Sequence, residues 1–240
     1  MKTITISICL LLALYVSGQE QVNFNAADGL EITANLYEVD NTFPYILLFH
    51  QAGSSKGEYK ESAIKLLKLD YNCLAIDLRS GDNCNYVQNE TASRAKSQGL
   101  STDYLDAEQD MLAAIDWAYE KSGKPVVLFG SSYSASLSLK VAKNNPKIKA
   151  VVAFSPGEYF KPKFTMSDEL KGYLKPTFVA SKKREFSYVQ EMFADVPDDY
   201  KTLFQPLEGE GEHGAKALWK ESNSSQEYWL ALLLFFGSLK

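Results

Sequence analysis

The stretch Val126-Val127-Leu128-Phe129-Gly130-Ser131-Ser132-Tyr133-Ser134-Ala135 constrains this chain more than any other. Four apolar residues run straight into Gly130, and Ser134 to Ala142 reads as a helix. An apolar run of strand length that passes directly into a helix is the β-to-α step of a sheet covered on both faces. The turn is so tight that the residues two before and two after Ser132 must lack bulk. Gly130 and Ser134 meet that condition. Ser132 then sits at the corner, with Oγ exposed and its backbone beside a helix N-terminus. A plain β-to-α loop with a serine N-cap fits the same residues. The rest of the chain separates the two readings.

With 240 residues, 45% hydrophobic and 23% charged, the chain has the length and composition of one α/β domain with a sizeable core. Residues 1–18 stand apart: Lys2 gives a positive start, Ile6 to Val16 is apolar, and Val16-Ser17-Gly18 ends in small residues. This is the pattern of a cleaved secretory signal, and the apolar run is too short for a spanning helix. The expected division is a signal peptide over 1–18 and a single domain over 19–240, exported to a periplasmic or extracellular compartment. Losing residues 1–18 removes one cation and no anion, taking the net charge from −5 to −6. An acidic chain whose densest basic cluster is Lys182-Lys183-Arg184 is not expected to bind nucleic acid. Cys73 and Cys84 would remain after processing. A strand from Cys73 to Arg79 carries the chain about 20 Å away, and five residues back span at most about 17 Å. A bond between them therefore requires a near-hairpin return. Two cysteines and two histidines give no metal-ligand spacing, so neither metal nor cofactor is expected.

Gln21–Ala26 and Glu31–Val39 read as an antiparallel opening hairpin around Ala27-Asp28-Gly29. Strands follow at Pro44–Phe49, Asn72–Asp77, Ile148–Phe154, Pro176–Ala180 and Thr202–Pro206. Lys56–Lys68 is amphipathic, and a helix capped by Thr102 or Asp103 runs to Gly123-Lys124-Pro125. Residues 82–103 show no period and read as a long loop. Two apolar helical stretches lie between His213 and Lys240. Repeated β-then-α units imply a mostly parallel sheet with helices on both faces. The short segment from Gly157 to Pro176 leaves no room for a large cap.

Acyl transfer needs a nucleophile, a base, a group that holds the base, and oxyanion donors. The only bases on offer are His50 and His213. The Gly130-Ser131-Ser132-Tyr133-Ser134 turn, the segment Phe49-His50-Gln51-Ala52-Gly53-Ser54-Ser55-Lys56-Gly57-Glu58-Tyr59, the strand end Asp77-Leu78-Arg79-Ser80-Gly81 and the loop Glu212-His213-Gly214 together resemble the dienelactone-hydrolase-like group of α/β-hydrolases. The resemblance covers nearly all of the chain after residue 18. It implies the order nucleophile, acid, histidine, which His213 satisfies and His50 does not. It also implies Ser132 as nucleophile and backbone N–H groups of Tyr133 with Gln51 or Ala52 as oxyanion donors. His50, ending a strand at the same sheet edge, and Tyr159, among the aromatics near the cleft, are expected beside the substrate. The acid is expected after the strand ending at Ala180, where Ser181-Lys182-Lys183-Arg184-Glu185 offers only Glu185. Asp195, Asp198 and Asp199 are less well placed.

Two departures from the group bear on function. Dienelactone hydrolases carry cysteine where this chain has Ser132, which favours ester chemistry, and the group's Gly-x-x-Asp acid loop is replaced by the Lys-Lys-Arg-Glu run. The expected function is a serine hydrolase of a small-molecule carboxylic ester or lactone. A non-catalytic ligand-binding relative and a short-peptide hydrolase are the alternatives.

Overall fold

The computed structural model describes residues 19–239, so the expected signal segment lies outside the described residues. Eight strands form one sheet in the order β1-β2-β4-β3-β5-β6-β7-β8. They are β1 (Gln19–Asn25), β2 (Glu31–Tyr37), β3 (Tyr45–Phe49), β4 (Asn72–Ile76), β5 (Val126–Ser131), β6 (Ile148–Phe154), β7 (Thr177–Ala180) and β8 (Lys201–Phe204). β1 and β2 pair antiparallel, β2 meets β4 antiparallel, and every pairing from β4 through β3 to β8 is parallel. The helices are α1 (Lys60–Leu66), α2 (Glu90–Ser97), α3 (Ala107–Ser122), α4 (Tyr133–Ala142), α5 (Met166–Glu169), α6 (Lys183–Met192) and α7 (Ser225–Ser238).

Alternate residues along each central strand face opposite sides, and the core divides accordingly. Leu47, Phe49, Leu74, Ile76, Leu128 and Val151 pack with α3 and α4 on one face. Ile46, Leu48, Ala75, Phe129, Val152 and Phe178 pack with α1 and α7 on the other. This is why the central strands read as unbroken apolar runs. Between β6 and β7 the only α-helix is the four-residue α5, so no large cap stands over the sheet. Among the described residues no helix is long and apolar enough to cross a membrane.

The structure departs from expectation at two places. Residues 82–103 are not all loop, because α2 lies within them, capped by the Asn89 side chain accepting from Ala92 N–H. Its buried face is Thr91, Ala92 and Ala95, small side chains that leave no hydrophobic period. Glu185 lies in the first turn of α6 rather than in a loop. Cys73 and Cys84 do not make the near-hairpin return that a bond requires and are unbonded, with Cys73 buried under α1, where its thiol lies 3.7 Å from Ala63 O.

The strand end Asp77-Leu78-Arg79 is a clamp of buried charge. Lys56 Nζ meets Asp77 Oδ2 at 2.6 Å, and Arg79 bridges Asp110 and Asp28 at 2.7 Å each. Buried ion pairs of this kind position chain segments more than they stabilise the fold. Here they fix the loops at the carboxyl ends of β3 and β4, the edge of an α/β sheet where ligands bind.

Candidate active site

Ser132 joins β5 to α4 at φ 61°, ψ −123°, a conformation that costs a non-glycine residue about 1–3 kcal/mol and persists only where its surroundings enforce it. Ser132 N–H donates to Phe154 O at 2.8 Å. A Cβ on Gly130 would lie 2.5 Å from Ala135 Cα, so that position must be glycine. Ser134 fits because its hydroxyl is used: Oγ accepts from Ser131 N–H at 2.9 Å and lies 2.8 Å from Phe49 O, tying the turn to β3.

The turn presents Ser132 Oγ 2.9 Å from His213 Nε2, and His213 Nδ1 lies 2.7 Å from Glu185 Oε1. Ser132 and Glu185 are nearly buried, while His213 is 34% exposed and open to a substrate. Burial would raise the Glu185 pKa. Hydrogen bonds from His213 and Ser155, with the charges of His213 and Lys182, outweigh burial and hold the carboxyl below its ordinary value of 4.5. Its place in the first turn of α6 adds the favourable end of a helix dipole. An ionised Glu185 only accepts, so Nδ1 carries the imidazole proton and Nε2 is left to accept from Ser132. Of the other carboxylates considered, Asp198 pairs with Lys201 at 3.2 Å and points to solvent.

Two residues that the sequence does not single out complete this arrangement. Ser155, the residue after β6, has its Oγ 2.7 Å from Glu185 Oε2 and accepts from Gly214 N–H at 3.0 Å. It thereby joins the acid to the histidine loop. Gly214, at φ 70°, passes so close to β5 that a Cβ would lie 2.5 Å from Ser131 Oγ. Glu58 is buried, with Oε1 2.7 Å from Ser131 Oγ and Oε2 accepting from Gln51 N–H at 2.9 Å. A polar residue directly after a strand at the functional sheet edge was the available signal for Ser155. Glu58 gives none, because Ser131, the partner that orients it toward Gln51, is remote in sequence.

The Glu58 contact corrects the oxyanion expectation. Gln51 N–H is already committed to the Glu58 carboxylate, so it is not a donor for substrate. Tyr133 N–H, at the start of α4, has no carbonyl in its own helix, and Ala52 is the remaining candidate in the loop after β3. His50 is also placed differently from expectation. It is fully buried, its Nε2 accepting from Leu78 N–H at 2.9 Å with Asn89 Nδ2 at 3.1 Å and its Nδ1 2.7 Å from Gln51 O. With Nε2 accepting, Nδ1 carries the proton. His50 braces the loop after β3 and does not face substrate. Tyr159 does reach the site, its hydroxyl 3.1 Å from Ser132 Oγ.

Residues 85–186, less than half of the chain, match the family model of X-Pro dipeptidyl-peptidase (S15 family). No curated protein sequence matches. Among solved structures, a Pyrococcus furiosus esterase superposes with a TM-score of 0.65 at 17% identity, covering 92% of this chain and 90% of its own. Dienelactone hydrolase from Anabaena variabilis gives 0.65 at 20% identity, covering 91% and 95%. The α/β hydrolase GrgF from a Penicillium species gives 0.69 at 12% identity, covering 92% and 98%.

The chain has the α/β-hydrolase fold. In this fold Ser132, Glu185 and His213 follow β5, β7 and β8 in turn, all at the carboxyl edge of the sheet. Beside them opens a cleft of about 320 Å³ whose lining includes Tyr104, Leu105, Tyr159, Phe160 and Pro162, with Lys161 and Lys163 also along it. Tyr104 stacks on the Tyr133 ring at 4.5 Å, so one wall of the cleft is continuous with the turn that carries Ser132. Among the described residues no cluster of three or more His, Cys, Asp or Glu side chains is arranged to hold a metal ion.

Proposed function

We propose that this chain is a serine hydrolase of small carboxylic esters or lactones, with Ser132 as nucleophile, His213 as general base and Glu185 as the acid that orients it. The observation that carries the reading is the unbroken relay from Ser132 Oγ to His213 (2.9 Å) to Glu185 (2.7 Å). His213 Nε2 takes the serine proton as Oγ attacks the carbonyl carbon. The imidazolium is held by Glu185 and then protonates the leaving alcohol. Tyr133 N–H and Ala52 N–H receive the oxyanion, each such donor being worth about 2.7–4 kcal/mol in the transition state. Water then hydrolyses the acyl-enzyme through the same base.

The relay weighs against a non-catalytic relative, since three groups aligned in this way serve no packing need. A cleft of about 320 Å³ sits at the small end of ligand sites and favours a compact acyl group. The hydrolase and esterase character of the structural neighbours points the same way. The match to the S15 family favours a second reading, hydrolysis of short peptides. The matched segment includes Ser132 and Glu185 but stops before His213.

Turnover of p-nitrophenyl acetate and butyrate, set against an alanyl-prolyl p-nitroanilide, separates the two. The ester reading expects hydrolysis of the esters alone, abolished by Ser132→Ala. Hydrolysis of the anilide in preference would transfer the assignment to peptides. We also propose that the protein is exported with processing after Gly18. N-terminal sequencing of the mature protein tests this, and a chain still beginning at Met1 refutes it.

A further inference from the structure

We propose that Tyr159 is a catalytic residue of the second half-reaction, donating its phenolic hydrogen bond to Ser132 Oγ as that oxygen leaves the acyl group. The inference rests on the reading of Ser132 as nucleophile. Ser132 Oγ has two neighbours, His213 Nε2 at 2.9 Å and Tyr159 OH at 3.1 Å, and one proton to give. Nδ1 of His213 is committed to Glu185, so Nε2 is the acceptor and the serine proton goes there. The contact with Tyr159 then exists only with the phenol donating. Its other acceptor, Ser155 O, is farther away at 3.3 Å. With Cβ, the proton and the phenol occupying three directions around Oγ, one lone pair remains for the acyl carbon.

The ring is held for this purpose. A Cβ on Gly157 would lie 3.0 Å from Tyr159 Cε2, so the loop backbone lies against the ring. Gly157 N–H is itself fixed by Ser136 Oγ at 2.8 Å, from the helix that begins at the nucleophile. Burial, and after it the nearby Glu185 charge, raise the phenol pKa, so the group keeps the proton it donates.

Deacylation gains most because the bond differs most there between ground and transition states. In the acyl-enzyme, Oγ is an ester oxygen whose lone pair is delocalised into the carbonyl, a poor acceptor. Water adds to the acyl carbon and gives a proton to His213 Nε2. The carbon–Oγ bond then breaks with its electron pair going to Oγ, which takes the Nε2 proton as the carboxylic acid departs. Charge grows on Oγ during that cleavage, and the Tyr159 hydrogen bond strengthens without transferring its proton. In acylation the free serine hydroxyl already accepts the same bond well, so the change is smaller.

The test is Tyr159→Phe, which keeps the ring and its packing, with thermal unfolding recorded alongside. Stopped-flow reaction with p-nitrophenyl acetate gives acylation from the burst and deacylation from decay of the acetyl-enzyme by intact mass. The deacylation constant is expected to fall about 10- to 100-fold, the worth of a hydrogen bond to an oxygen gaining charge. Acylation stays within about threefold, so kcat and KM drop together and acetyl-enzyme accumulates. Unchanged deacylation, faster deacylation, or an equal loss in acylation overturns the proposal. Turnover surviving in Ser132→Ala refutes the underlying site reading instead, and the two failures are thereby distinct.

Discussion

Replacing Ser155 by alanine probes the joint that holds the acid to the histidine loop. The hydroxyl is 1% exposed and makes two contacts, 2.7 Å to Glu185 Oε2 and 3.0 Å from Gly214 N–H. A hydrogen bond to a charged group contributes about 1.5–3 kcal/mol, and a buried donor left unpaired costs about 1–3 kcal/mol. The two losses share one oxygen and partly relax together, so about 3 kcal/mol of stability is the expected cost. That is a large part of a typical folding free energy of about 5–15 kcal/mol, but leaves a folded protein. Ser155 also sits at φ 52°, where glycine is unstrained and alanine is not. Ser155→Gly should therefore be about 1 kcal/mol less destabilised than Ser155→Ala. Activity should fall mainly in kcat, by about 10- to 100-fold, because the lost bond orients Glu185 and is remote from the cleft. Urea unfolding gives the stability, and kcat and KM on a short-chain p-nitrophenyl ester give the rest. A stability loss under about 0.5 kcal/mol with unchanged kcat would refute the reasoning.

Glu185→Gln removes the charge that stabilises the imidazolium and permits the wrong tautomer. Steady-state kinetics should show a kcat loss of up to about 10⁴-fold, with KM nearly unchanged; a change within threefold would make Ser132 and His213 a dyad. The depressed Glu185 pKa favours the ionised form in the folded protein, so its stabilisation is complete above the ordinary value of 4.5 and is lost as pH falls through the folded value. Unfolding midpoints of wild type and Glu185→Gln should consequently converge on acidification below about pH 4.5, and a constant difference would contradict that sign. Glu58→Gln keeps the shape but weakens the hold on Gln51 N–H and Ser131 Oγ. It should lower kcat/KM about tenfold through the oxyanion loop, whereas full activity would show that the loop holds itself.

Much of this site is legible in the sequence because its constraints are local. Gly130 and Ser134 mark a turn that only small residues permit, and of two histidines only His213 follows the last strand. Glu185 is legible by position, but not its setting, since Lys182-Lys183-Arg184 conceals a helix start. The α2 helix escapes detection because Thr91, Ala92 and Ala95 bury too little to make a period. Gln51 fails as an oxyanion donor for a reason no local pattern reveals. Its N–H partner, Glu58, comes from the following 3₁₀ turn and is held in place by Ser131 on a different strand. His50 similarly looks like a site residue until Leu78 and Asn89, distant in sequence, are seen to occupy its Nε2, with Nδ1 held by Gln51 O.

The central claim is that Ser132 is an activated nucleophile. Intact mass spectrometry after incubation with a fluorophosphonate reads this directly, with peptide mapping of the adduct. The account predicts one adduct per chain on Ser132, none in Ser132→Ala, and slower labelling in Glu185→Gln. A chain that takes no label, or takes it on Ser131 with Ser132→Ala still reactive, would contradict it.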